Sequence, residues 1–292
     1  MTLTASIRIS APLFMCAAAL ASCSPLKTFN AFVPKDNTAR QAAEGIAYGT
    51  DDRQKLDVYL PKADAARADG RPLVVFFYGG SWNSGTRKGY DFVGRALAAR
   101  GFVTVIPDYR LVPEVTYPAF VEDGASAVRW ARVNAAQYGA DPDKVVVIGH
   151  SAGAYIAAML ALDERFLADD RAALRGFVGL AGPYDFLPFD GPVTQTAFGN
   201  WPKAAETQPV TYAGKGDPAA LLLSGADDTT VLPVNSEKLA AKLRAGGVDA
   251  DVKFYEGVGH VGIITSIAKP LRGKSPALDD IGAFVERVTA GD

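Results

Sequence analysis

The chain reads as an α/β protein: a mostly parallel, doubly wound sheet with an antiparallel N-terminal hairpin and a short lid-like insertion. Three observations predict this. Apolar runs rich in β-branched residues, such as Leu73 to Phe77 and Val145 to Ile148, alternate with stretches of helix-forming composition. Ile46-Ala47-Tyr48 and Leu56-Asp57-Val58-Tyr59-Leu60 flank the turn-rich Gly49-Thr50-Asp51-Asp52, and the second of them alternates apolar and polar, as a half-buried strand does. Gly149-His150-Ser151-Ala152-Gly153 follows the Val145 strand at once and runs straight into an alanine-rich stretch to Leu162, which spells strand, sharp turn, helix.

The first residues read as an export segment. Arg8 supplies a sparse positive start, and Ile9 to Leu20 is an apolar run too short to span a bilayer. Leu20-Ala21-Ser22-Cys23 then resembles the lipobox of bacterial lipoproteins, in which the cysteine becomes the lipid-bearing first residue. The expected organisation is therefore a signal peptide over 1–22, a tether over 23–40 and a folded domain over 41–292, with Cys23 anchored to an envelope membrane. Cys16 would leave with the signal peptide and Cys23 would carry lipid, so the mature domain has no thiol for a disulfide. A domain of this length can bury a full core.

After the hairpin, Pro61 to Arg71 is polar and loop-like, and the strand Leu73 to Phe77 ends in Tyr78-Gly79-Gly80-Ser81-Trp82. A helix over Tyr90 to Arg100 ends at Gly101, a suitable C-terminal stop. The strand Phe102 to Ile106 precedes Pro107-Asp108-Tyr109-Arg110, and a long helix over about 119–138 leads to the Val145 strand. Phe177 to Ala181 is the next strand. Gly182 to Gly216 then lacks strong periodicity while carrying Tyr184, Phe186, Phe189, Phe198 and Trp201, so it reads as a cover or lid. Strand Ala219 to Leu223, helix Asn235 to Ala245, strand Ala250 to Tyr255 and helix Leu278 to Val288 complete the alternation.

Chemistry concentrates at the strand ends. In a strand–turn–helix setting, G-x-S-x-G holds Ser151 exposed on a tight turn. A serine hydroxyl needs a base within hydrogen-bond reach, and the chain has two histidines. His150 precedes the serine on the turn itself, so its side chain should leave in another direction. His260 follows the last strand, at the sheet edge where α/β proteins build their sites. An acid that fixes the imidazole tautomer should fall between Ser151 and His260 in the chain. Asp227 and Asp228, after the strand ending near Gly225, both qualify; Asp228 is the favoured one.

These segments together resemble an α/β-hydrolase of the esterase, lipase and arylformamidase group, a BD-FAE-like carboxylesterase. The residues that carry the resemblance are Tyr78 to Trp82, Asp108 to Leu111, Gly149 to Gly153, Gly225 through Asp228 to Val231, and Gly259-His260. It implies that a loop after the third strand donates backbone N–H groups to an oxyanion, by position those of Gly80 and Ser81, joined by Ala152. The family carries histidine where this chain has Tyr78, so a hydroxyl-bearing aromatic takes over that position. The implied activity is hydrolysis of small acyl or aryl esters through Ser151, His260 and Asp228. An amidase of the arylformamidase type would use the same residues, and a non-catalytic envelope-tethered binding protein is the rival of another class. Tyr78, Trp82, Tyr109, Tyr155 and Tyr184, apolar bodies with polar tips, are expected to edge the pocket. No cofactor or metal is expected, since there is no Cys/His cluster and no glycine-rich phosphate loop. Thirty basic residues against thirty-two acidic ones, with no basic run, argue against a nucleic-acid partner.

Overall fold

Eight strands form one sheet in the computed structural model, which describes residues 25–62 and 70–290. The export segment and Cys23 lie outside the described residues. The strands are β1 (Ala39–Ala47), β2 (Lys55–Pro61), β3 (Arg71–Phe77), β4 (Val103–Pro107), β5 (Ala140–His150), β6 (Leu174–Leu180), β7 (Ala219–Gly225) and β8 (Ala250–Tyr255), in spatial order 1-2-4-3-5-6-7-8. β1 and β2 pair antiparallel, as do β2 and β4; every other neighbouring pair is parallel. The hairpin thus forms one edge, and the parallel strands open all their C-terminal ends on one side.

Residue type explains which strands lie inside. Val145, Val146, Val147 and Ile148 of β5 are fully buried, and each such side chain contributes about 1.5–3 kcal/mol relative to exposure. β8, at the far edge, alternates Val252 and Phe254 with Asp251 and Lys253 and is only partly buried, as an edge strand should be. Helices cover both faces. On one, α2 (Asp91–Ala99) meets α10 (Ala277–Thr289); on the other, α3 (Ala119–Val133) packs on α4 (Ala152–Leu162), with α8 (Val234–Ala245) against β7 and β8. All eleven residues of α4 are buried, which its composition of alanine, leucine, isoleucine and methionine allows.

The structure differs from the sequence reading at three places. Within the stretch read as a tether (23–40), Pro25–Phe32 forms helix α1, and β1 already begins at Ala39. Phe29 of α1 meets Phe92 edge to face at 5.3 Å, and Leu26, one turn earlier, packs on the same core. The apolar pair at i, i+3 drives this docking, and the flanking prolines and charges mask it. The stretch read as an irregular cover contains α6 (Pro192–Phe198) and α7 (Pro209–Tyr212) between turns; a preceding short helix, α5 (Glu164–Leu167), follows α4. Finally, α9 (His260–Thr265) starts at the histidine itself, after the glycine-rich exit from β8.

Candidate active site

The turn after β5 is set by two close approaches of backbone to backbone. A Cβ on Gly149 would lie 2.1 Å from the Gly153 carbonyl oxygen, and one on Gly153 would lie 2.1 Å from the Phe77 carbonyl oxygen. Neither contact can exist, so both positions require glycine. Ser151 between them adopts φ 53° and ψ −122°, a conformation costing about 1–3 kcal/mol that packing on both sides must hold. Its N–H donates to the Leu180 carbonyl at 2.8 Å, which ties the turn to the neighbouring strand β6.

From that turn the Ser151 hydroxyl meets His260. Its Oγ lies 2.9 Å from His260 Nε2, and His260 Nδ1 lies 2.8 Å from Asp228 Oδ2. A carboxylate only accepts, so Nδ1 carries the proton and Nε2 is left to receive one from serine. The other Asp228 oxygen, Oδ1, accepts the N–H groups of Thr230 and Val231 at 2.9 Å each, which fixes the carboxylate's orientation. Asp228 is buried, whereas Asp227 is exposed to solvent, so of the two aspartates only Asp228 faces the imidazole. Asp185, further back in the chain, is engaged instead by the Lys238 ammonium at 2.7 Å.

His150 leaves the turn in another direction, as its place beside Ser151 required. Its Nε2–H donates to the His260 carbonyl oxygen at 3.2 Å, so one histidine braces the backbone of the other. Burial pulls the His150 pKa down to about 3, with the nearby His260 adding to the effect, and the ring is neutral. Its Nδ1 is buried without a partner among the described residues.

The loop after β3 forms the opposite wall. Gly80 (φ 136°), Ser81 (φ 50°) and Trp82 (φ 56°) sit in succession in the positive-φ region, where the two non-glycine residues are strained. Hydrogen bonds hold them there: the Gly80 carbonyl accepts Asn83 N, Ser84 N and Ser84 Oγ at 2.9–3.1 Å, and the Trp82 carbonyl accepts Val112 N at 3.0 Å. Gly80, Ser81 and Ala152 all line a cavity of about 880 Å³ that also contains Ser151 and His260. Ala152 begins α4, and the N–H groups of Ala154 and Tyr155 in its first turn donate to the Ser151 carbonyl at 2.9 and 3.1 Å.

Of the aromatic residues expected at the pocket, only Trp82 lines the cavity; the four tyrosines do not. Tyr78 is fully buried beneath the loop, stacked on Tyr109 with ring centroids 4.8 Å apart. Its hydroxyl receives Arg53 Nη2 at 2.8 Å and donates to Asp108 Oδ1 at 2.9 Å. Tyr109 Oη in turn donates to the Tyr78 carbonyl at 2.9 Å. Tyr155, on the inner side of α4, gives its hydroxyl to the Thr207 carbonyl at 2.8 Å. Tyr184 folds back against β6 into space left by Gly179 and Gly182. In each case the ring is worth more buried than at a wet cavity wall, and for the first three a polar partner is available inside.

Sequence reasoning missed several residues that line the cavity and those that brace its loop. Leu26 of α1, Tyr90, Asp190, Thr194 and Val261 join the expected residues in the wall, with Phe186 from the cover beside them. Arg53, in the hairpin turn, donates to the Tyr109 and Gly85 carbonyls as well as to Tyr78 Oη. Arg87 joins Asp108 and, at 2.8 Å, Asp57, an acid whose pKa burial raises. The Asp108-Tyr109-Arg110 segment was the only sequence signal for this network, and it did not indicate partners fifty residues away.

The profile of the BD-FAE family matches residues 56–243, more than half of the chain. The chain belongs to the BD-FAE family. Among curated relatives, this BD-FAE protein is 30% identical over 261 residues to the probable isoprenylcysteine alpha-carbonyl methylesterase ICME of Oryza sativa subsp. japonica, covering 80% of this chain and 61% of that one. It is 28% identical over 222 residues to esterase LipC of Mycobacterium tuberculosis, covering 68% and 54%. The chain thus spans about 60% of the length of the plant relatives it matches. Among solved structures, the thermostable carboxylesterase EstE1 from a metagenomic library superposes with a TM-score of 0.74 at 23% identity, over 91% of this chain and 94% of that one. A structure of an arylesterase gives 0.73 at 23% identity over 90% of each. The fold of the BD-FAE chain is accordingly that of the α/β-hydrolases, as its sheet and its strand–turn–helix at Ser151 require.

Proposed function

We propose that this chain is a serine carboxylesterase acting on small acyl or aryl esters. The observation that carries the reading is the relay from Asp228 through His260 to Ser151, with both hydrogen bonds at 2.8–2.9 Å at the edge of a cavity. The esterase names of its relatives point the same way.

The reaction follows from the proton positions. His260 Nε2 takes the Ser151 proton as Oγ attacks the ester carbonyl carbon, and Asp228 stabilises the imidazolium that results. Negative charge gathers on the carbonyl oxygen, where the N–H groups of Gly80, Ser81 and Ala152 act as donors, each worth several kcal/mol of barrier. Collapse of the tetrahedral adduct breaks the bond to the alkoxy oxygen, which takes its proton from His260 and departs as the alcohol. A water molecule then gives a proton to His260 as it attacks the acyl carbon. Ser151 Oγ regains that proton and the acid is released.

Labelling with a fluorophosphonate tests this directly. The wild-type chain should be labelled at Ser151 and lose esterase activity in step, while Ser151→Ala should be unlabelled and slower by several orders of magnitude. Ester turnover near wild type in Ser151→Ala would remove the mechanism. An N-formyl aryl amide assayed beside acetyl and butyryl aryl esters distinguishes the bond cleaved, because the ester reading requires the esters to be faster. Lipidation of Cys23 and an envelope location are part of the same proposal. In a bacterial host Cys23→Ser should move the protein out of the membrane fraction, and unchanged fractionation with an unmodified Cys23 would refute the anchor.

A further inference from the structure

The segment between β6 and β7 carries four acidic side chains, and three of them are neutralised in place. Asp185 is held by Lys238 at 2.7 Å, Glu206 by Lys203 at 2.9 Å, and Asp217 by Arg171 at 2.5 Å. The fourth, Asp190, makes no ion pair and no side-chain hydrogen bond among the described residues, and it lines the cavity that holds Ser151. No lysine or arginine lines that cavity. Of its titratable wall residues other than Asp190, His150 is neutral, His260 belongs to the relay, and burial raises the Tyr90 hydroxyl pKa and keeps it protonated.

The remaining walls suit the same kind of charge. Trp82, Tyr90 and Phe186 line the cavity. Tyr90 is stacked on both Tyr78 and Phe92, and Trp82 is buried against Phe186, so of the three the half-buried Phe186 has the most ring surface left to face a ligand. Aromatic faces carry negative quadrupole density and attract a cation within about 6 Å of a ring centroid, most of all one too weakly hydrated to prefer water. An unpaired carboxylate at the mouth adds a long-range attraction of the same sign.

We infer that the cavity selects esters bearing a positive charge in the alcohol or acyl portion, a quaternary ammonium group above all, with Asp190 as the selecting residue. The inference rests on the ester-hydrolase reading and specifies its substrate class. A primary ammonium, compact and strongly hydrated, would be a poorer occupant than a trimethylammonium group, which gives up little hydration on meeting Phe186 and the apolar wall. Because Asp190 is exposed, salt should weaken the preference.

A charge-only substrate pair tests this: acetylcholine against 3,3-dimethylbutyl acetate, which replaces nitrogen by carbon at the same shape. For the full chain at low ionic strength, kcat/KM for the cationic ester should exceed that for the neutral one by about fivefold. The ratio should fall toward one in Asp190→Asn, drop below one in Asp190→Lys, and decline with added salt. A wild-type ratio at or below one, or a ratio that neither substitution changes, would overturn the inference. Binding is read separately in the Ser151→Ala background by ligand-observed NMR titration of both esters, where the same ranking and the same response to Asp190 are expected. If neither ester is turned over while an aryl butyrate is, the charge preference falls and the hydrolase reading stands. If the aryl butyrate is not turned over either, the hydrolase reading falls, and equal binding of the two esters then sinks the charge preference as well.

Discussion

Asp228→Asn is the substitution whose outcome the site dictates most closely. The carboxylate works with both oxygens: Oδ1 accepts the N–H groups of Thr230 and Val231, and Oδ2 accepts His260 Nδ1. An asparagine has one oxygen to offer. Turned with its amide nitrogen toward the backbone, it would set an NH2 against two N–H donors in a buried position, at about 1–3 kcal/mol for each unmet group. It will therefore keep its oxygen on the backbone and present NH2 to His260. The imidazole must then take the other tautomer, with the proton on Nε2, and can no longer accept from Ser151. Loss of about 10⁴ in kcat is expected, which corresponds to about 5.5 kcal/mol of barrier, while folding stability changes by no more than about 1 kcal/mol. Steady-state hydrolysis of an aryl butyrate, with thermal unfolding as the control for folding, makes the measurement. Asp227→Asn should remain close to wild type, since that side chain is in solvent. A variant at Asp228 that retains more than a tenth of the wild-type rate, or an equal loss at Asp227, would refute this account of the relay.

Three further outcomes follow from the packing around it. His150, with its pKa pulled to about 3 in the folded chain, binds fewer protons there than when unfolded with a pKa near 6.5, so stability should fall by a few kcal/mol as pH drops from 6.5 toward 3. Chemical denaturation across that range should show a slope that flattens in His150→Phe; an unchanged slope would remove His150 as its source. Gly153→Ala drives a Cβ to within 2.1 Å of the Phe77 carbonyl oxygen and 2.6 Å of that of Tyr78, backbone groups that cannot swing aside, and should cost more than about 3 kcal/mol; a melting temperature within a few degrees of wild type would contradict the clash. Tyr78→Phe leaves Arg53 and Asp108 each short of a buried partner and should cost about 1–3 kcal/mol in unfolding experiments, with Tyr78→His partly restoring it; a neutral Tyr78→Phe would mean that stacking alone holds the loop.

Ser151, His260 and Asp228 were legible because each announces itself locally. Ser151 sits between glycines that only a strand-to-helix turn needs, and the other two fall just past apolar strand runs. The hairpin and the parallel strands were legible for the same reason, since their periods are written within a few residues. The pocket was not. Tyr78, Tyr109, Tyr155 and Tyr184 look alike in sequence, and nothing near them in the chain indicates that carbonyls and an aspartate inside the protein satisfy their hydroxyls or that β6 leaves space for a ring. Helix α1 was hidden likewise, because a short run with Leu26 and Phe29 one turn apart between prolines makes a weak local signal and a sufficient long-range one once Phe92 is beside them. Arg53 shows the limit most sharply: a turn residue by composition, it reaches groups at 78, 85 and 109.

The order of the strands assigns different duties to their exits. β5 ends just before Ser151, β7 shortly before Asp228, β8 shortly before His260, and β3 just before the Gly79–Trp82 loop. β6 lies between β5 and β7 and contributes none of these residues; the long excursion bearing Phe186 and Asp190 leaves from its end. The cover is therefore mounted at the middle of the row yet shares no strand terminus with the reacting groups. Its exposed residues, Asp190 among them, can be exchanged while the spacing of the other exits stays fixed by the hydrogen-bonded sheet; its inner ones, Phe186 against Trp82 and Thr207 on Tyr155, hold the wall in place. The outer face of the excursion between Leu180 and Ala219 is therefore where a change of substrate should begin.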